Sequence, residues 1–181
     1  PQTPVAPFPY QTQEVSFNNG DAVLKGTLIL PQKYTKETPV VLMVKGSGLQ
    51  NRDEEVFEHK PFAVIADALA KQGIATLRYD DRGFGESTGD LENVTTEDLK
   101  NDALAGVKLL RKQFRKVGVL GHSEGGTIGL MLAAEGKVDF VVSLAGGVIS
   151  FEETLLDQNR WTLQQAGYSK DVTDRYCTVL K

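Results

Sequence analysis

Gly121-His122-Ser123-Glu124-Gly125 is the stretch of this sequence best suited to chemistry. A serine with glycine two residues to either side fits a sharp strand-to-helix bend, because the bend presses those two positions together and leaves no room for Cβ atoms. The apolar run Lys116 to Leu120 reads as the strand before it, and Glu124 to Ala134 as the helix after it. A hydroxyl held there stands at the carboxyl edge of a sheet, in front of helix N-terminal amides that favour a developing oxyanion. Ser123 is therefore the expected nucleophile for attack on a carbonyl, with the Glu124 N–H as one oxyanion donor. A second donor should come from the loop Lys45-Gly46-Ser47-Gly48, whose glycines let backbone approach the reacting carbonyl; the Ser47 and Gly48 amides are both candidates. His122 adjoins the serine, so on a tight bend its side chain should point away and serve structure. The Glu124 carboxylate reads as a helix-start charge favoured by the dipole.

These residues need a scaffold. Gln13 to Phe17 and Val23 to Leu30 are rich in β-formers and flank Asn18-Asn19-Gly20-Asp21, which predicts an antiparallel hairpin. Val40 to Val44 is a continuous apolar run, as expected of a strand covered on both faces. Pro61 opens a helix whose stripe Phe62, Ile65, Ala66, Leu69 and Ala70 ends at Gly73, and Ile74 to Tyr79 is a strand. Thr95 and Asp98 form a capping-box pattern ahead of the stripe Leu99, Ala103, Gly106, Val107 and Leu110. Phe140 to Ala145 is a further strand. This alternation predicts an α/β fold with a mostly parallel sheet and helices on both faces. Residues 1–12, with prolines at 1, 4, 7 and 9, read as an extended leader; 13–150 as the core; and 151–181 as a helical cap or lid segment. The stripe Leu155, Leu156, Trp161, Leu163 and Tyr168 suits a cap over an acyl pocket or ordinary packing equally.

Composition removes several function classes. With 181 residues and 20 basic against 24 acidic side chains, the chain is one ordinary domain that lacks any basic run able to track phosphates. Nucleic acid is not an expected partner. Two histidines and a single cysteine, Cys177, do not make an ordinary metal site or an internal disulfide. No apolar stretch approaches the roughly 20 residues of a membrane span. The proline leader and the opening without methionine point to export rather than a cytoplasmic location.

Three ordered motifs then carry a resemblance. Val41 to Glu54 (VLMVKGSGLQNRDE), Leu77 to Ser87 (LRYDDRGFGES) and Gly121 to Gly126 (GHSEGG) resemble the α/β-hydrolases of the bacterial esterase, dienelactone-hydrolase-like and peptidase-like kind. The resemblance implies the hydrolase fold, a Ser–His–acid triad, no cofactor and no metal, and a small-molecule or peptide substrate with an ester, thioester or amide bond. It also implies that Asp80 to Ser87 is a structural loop, with Asp80 and Arg82 as bracing. Many members have His-Gly where this chain has Lys45-Gly46. In this fold the triad acid and histidine follow later strands, yet no histidine follows Ser123, and His59 comes in the wrong chain order. Asp157, Asp171 and Asp174 fall in the helical tail rather than after a strand. The expectation is thus an incomplete hydrolase core, weakly active alone, with an open sheet edge at 140–145 as a template for self-association. The competing expectation is a non-catalytic binding module on the same fold.

Overall fold

The computed structural model describes residues 2–180; Pro1, the first residue of the proline leader, and Lys181 lie outside the described residues. The chain divides into two compact units, one ending at Gly146 and one beginning at Gly147.

The first unit is built on a six-stranded sheet. Its strands are β1 (Tyr10–Asn19), β2 (Ala22–Pro31), β3 (Val40–Val44), β4 (Ala75–Tyr79), β5 (Val117–His122) and β6 (Phe140–Leu144), in the spatial order β1-β2-β4-β3-β5-β6. β1 and β2 form the antiparallel hairpin, turning at Gly20 with φ +58°. β2 is antiparallel to β4, and β4, β3, β5 and β6 run parallel. Three helices cross between the parallel strands: α1 (Pro61–Lys71), α2 (Thr96–Leu110) and α3 (Glu124–Ala134). The mostly parallel sheet expected from the alternation, with its antiparallel hairpin at the start, is the one found.

β3 shows why an apolar run becomes a central strand. Successive side chains point to opposite faces, so Val40, Leu42 and Val44 join the core cluster that includes Val107, Leu110, Ile128 and Leu132, while Val41 and Met43 pack with Phe62 and Ala66 of α1. All five are buried. Each such side chain removed from water contributes about 1.5–3 kcal/mol. α2 starts as its sequence predicts, with the Thr95 and Asp98 side chains capping each other's backbone N–H.

Several strand boundaries differ from expectation by one to three residues, and two of them have a clear cause. β1 begins at Tyr10 rather than Gln13, because the ladder continues through Tyr10↔Pro31 to Thr12↔Ile29 although Gln11, Thr12 and Gln13 are polar and exposed. An edge strand held by backbone bonds leaves no apolar trace at such positions. β5 runs past Leu120 to His122, where it still pairs with Leu144. β6 is the edge strand on that side, with Val142 and Leu144 exposed.

The second unit is a pair of helices, α4 (Phe151–Gln165) and α5 (Lys170–Val179). Ser150 and Glu153 form a capping box on α4, and the Ser169 hydroxyl accepts the Val172 N–H at the start of α5. Cys177 on α5 is buried, with its Sγ 3.9 Å from the Leu156 carbonyl of α4.

Candidate active site

Ser123 is the single residue between β5 and α3, and its backbone is at φ +50°, ψ −118°. A non-glycine residue with positive φ is uncommon and costs of order 1–3 kcal/mol. Its neighbours show what holds it there. A Cβ on Gly121 would stand 2.0 Å from the Gly125 carbonyl oxygen, and one on Gly125 would stand 2.1 Å from the Val44 carbonyl oxygen. Val44 ends β3, so the start of α3 lies directly against the strand that leads into the Lys45 loop. Glycine at 126 is also required, since its Cβ would meet Ser143 Oγ at 2.6 Å and Gly146 Cα at 2.8 Å. The Ser123 N–H donates to the Leu144 carbonyl at 2.8 Å, tying the bend to β6, and its own carbonyl accepts the Gly126 N–H at 2.9 Å.

The loop after β3 reaches the same place. Gly46 is buried, and a Cβ there would lie 3.3 Å from Ser123 Cβ. Ser47 and Gly48 follow on the exposed side of the loop, Gly48 at φ +91°. Thus the fold brings Gly121, Ser123, Glu124, Gly125 and Gly46 together, with Ser47 and Gly48 one and two residues beyond. The Glu124 carboxylate accepts the Thr96 hydroxyl of α2 at 2.6 Å, a helix-to-helix tie. The His122 ring is turned to the buried Glu54, with Nδ1 2.8 Å from Oε1. His59 lies elsewhere in the loop, in an isolated bridge with Val56. Among the described residues neither histidine is hydrogen-bonded to Ser123.

Charges fasten the surrounding loops. Lys45 is buried rather than open to a substrate: Nζ donates to the Tyr79 carbonyl at 2.6 Å, sits 3.1 Å from Asp81 Oδ1 and lies over the Tyr79 ring at 3.9 Å. The side chain of Lys45 thus braces the loop against β4 and Asp81. Asp81 also accepts the Gln50 N–H at 2.9 Å. Burial pushes the Asp81 carboxyl up, against the lowering pull of the Lys45 ammonium and the Gln50 amide. At Asp80 the balance is opposite. Burial raises its pKa, but hydrogen bonds from the Arg52 guanidinium and from the Glu86 and Arg52 amides outweigh it, leaving the carboxyl below its ordinary value. Arg52 reaches both Asp80 oxygens and pairs with Glu86 and with Glu14 of β1. Arg82 forms a buried two-point pair with Asp102 of α2, at 2.8 and 2.7 Å. Asp80 and Arg82 thus hold loop to loop and loop to helix, the bracing the resemblance implied.

Sequence reasoning gave no role to Glu54, Lys45 or Asp102. Asp102 had a readable signal: it lies three residues after Leu99, on the apolar stripe of α2, where a carboxylate demands a buried partner. Glu54 had only its place in the charged run Arg52-Asp53-Glu54-Glu55. Among the described residues no group of three His, Cys, Asp or Glu side chains is placed to hold a metal ion, and no helix is long and apolar enough to cross a membrane.

Comparison with known proteins decides the family. The sequence pattern of the family described as X-Pro dipeptidyl-peptidase (S15 family) matches residues 19–178. The chain belongs to the S15 family of α/β-hydrolases. The S15 chain is 33% identical over 172 residues to esterase EstD of Thermotoga maritima, a match covering 94% of this chain and 40% of EstD. Among solved structures it is similar to a Pyrococcus furiosus esterase, with a TM-score of 0.67 and 19% identity over 94% of this chain and 61% of that one. It is also similar to dienelactone hydrolase from Anabaena variabilis, with a TM-score of 0.61 and 29% identity over 76% of this chain and 64% of that one. The S15 chain therefore spans 40% of EstD and under two thirds of the two solved structures.

Proposed function

We propose that this S15 chain carries the nucleophile and oxyanion half of a serine hydrolase acting on carboxylic esters. One observation carries the reading: Ser123 is held at positive φ on a glycine-crowded bend, between the end of β5 and the first turn of α3. That geometry suits a nucleophile elbow. The Ser123 hydroxyl would attack the ester carbonyl, its proton passing to a histidine base, and the tetrahedral oxyanion would be held by the Glu124 N–H and an amide of Ser47 or Gly48. Collapse would expel the alcohol and leave an acyl-enzyme, which water then hydrolyses to the acid and free Ser123. Each oxyanion donor is worth about 3–4 kcal/mol in comparable sites.

The 40% coverage of EstD supports assigning the base and its orienting carboxylate to parts of the whole protein outside these residues. His122 is already engaged by Glu54. Residues 147–180, two capped helices, would be the cap or lid segment, and 13–146 the hydrolase core. The kinship to EstD favours an ester substrate, and the family description makes an X-Pro peptide the alternative to compare.

Fluorophosphonate labelling of the full-length protein tests the reading. Stoichiometric labelling that is lost in Ser123→Ala, together with hydrolysis of p-nitrophenyl esters in preference to X-Pro anilides, is the expected result. Labelling that survives Ser123→Ala refutes it. Absence of both labelling and hydrolysis in the wild type favours the binding module.

A further inference from the structure

We infer that Glu54 is the positioning residue of the candidate oxyanion loop, holding Gly46 beside Ser123 and the His122 ring beside Gly46 through one buried carboxylate oxygen. Glu54 is 5% exposed. Its Oε1 accepts the Gly46 N–H at 2.8 Å and lies 2.8 Å from His122 Nδ1. A carboxylate oxygen only accepts, so with Glu54 as carboxylate the hydrogen of this contact is carried by Nδ1. The three partners converge at one point: a Cβ on Gly46 would be 3.3 Å from His122 Nδ1, 3.3 Å from Ser123 Cβ and 3.4 Å from Glu54 Oε1.

The turn that delivers Glu54 is itself held in an unusual form. Its backbone is at φ +53°, a region non-glycine residues seldom occupy. Its N–H donates to the Asn51 carbonyl at 3.0 Å, the Asn51 side chain accepts the Asp53 N–H at 3.0 Å, and the Asp53 carbonyl accepts the Phe62 N–H of α1 at 3.1 Å. Backbone strain kept in place by such fastening, at a buried carboxylate beside the candidate nucleophile, points to a site requirement rather than to packing. Because the Gly46 amide is committed to Glu54, the oxyanion donor on this loop falls to Ser47 or Gly48, and Glu54 sets where that amide stands.

The inference rests on the reading of Ser123 as nucleophile, and the test separates the two. Full-length wild type, Ser123→Ala, Glu54→Gln and Glu54→Asp are assayed on a short-chain p-nitrophenyl ester, each checked for folding by circular dichroism. Gln keeps the reach and an acceptor oxygen, whereas Asp keeps the charge but withdraws the oxygens by one methylene. Glu54→Asp should lose at least about tenfold in kcat with KM changed less than about threefold, because an ångström-scale misplacement is felt in the transition state. Glu54→Gln should stay within about threefold of wild type. Equal kcat for Glu54→Asp and wild type, or a Gln variant as impaired as Asp, overturns the positioning role while Ser123→Ala still abolishes turnover. Turnover that persists in Ser123→Ala overturns the reading beneath it. If Glu54→Asp does not fold, Glu54→Ala is read in its place: a kcat at least about tenfold lower while Glu54→Gln stays near wild type upholds the positioning role, and an unchanged kcat in Glu54→Ala refutes it.

Discussion

Around Ser123 the backbone is held by close contacts that admit no side chain, whereas the loops beside it, residues 45–54 and 80–87, are held by charge. Gly121, Gly125, Gly126 and Gly146 pack main chain on main chain at distances no Cβ tolerates. The neighbouring loops rely on Lys45–Asp81, Arg52–Asp80 and Arg82–Asp102. Steric fit is indifferent to pH and salt but brittle to mutation. Ion pairs tolerate some displacement, yet each makes the loop dependent on the ionisation of its partners. The candidate nucleophile thus sits on the rigid part, and the candidate oxyanion loop on the part whose position can be tuned.

The largest expected effect breaks the charged half. Asp102→Ala strands the buried Arg82 guanidinium and frees the Asn19 side-chain amide it also binds at 2.8 Å. It should cost about 3–5 kcal/mol in urea unfolding. Gly121→Ala breaks the steric half: with the Gly125 carbonyl 2.0 Å from the new methyl, the bend must open. It should cost about 1–3 kcal/mol, and fluorophosphonate labelling of Ser123 should fall even where the protein still folds.

Acid titration sharpens the contrast between neighbouring carboxylates. Asp80 is lowered in the fold, so its stabilisation is complete above its ordinary value of 3.8 and is lost as pH falls through the lower folded value. Asp81 is raised, so it begins to take up a proton in the fold above 3.8, and falling pH there adds stability. Melting temperatures measured between about pH 5 and pH 3 should therefore fall less steeply in Asp80→Asn than in wild type, and more steeply in Asp81→Asn. Equal slopes in all three would remove charge as the means of holding these loops. The smallest effect is the control: Glu37→Ala removes an exposed pair with Arg115 and should change stability by less than about 0.5 kcal/mol.

Much of the scaffold was legible because it depends on local chemistry. The five-residue apolar run of β3, the Thr95–Asp98 box and the Gly20 turn each state a conformation within a few residues. So does the crowding at Gly121 and Gly125, since two small residues around a serine are a local steric pattern. Boundaries set by pairing were not legible: β1 extends over the polar Gln11 and Thr12, and β5 extends to His122, because a partner strand supplies their backbone bonds.

What the sequence determined by itself was the order of strands and helices, and hence the place of Ser123 at a strand's end, since periodicity and turn residues act over one element at a time. Only the tertiary structure decided that Lys45 turns inward to Tyr79 and Asp81, that Arg82 pairs with Asp102 twenty positions on, and that Glu54 meets His122 across 68 positions of chain. Those choices depend on which buried charge finds which partner. A chain records the charges, but the distances between them exist only once the sheet has closed around them.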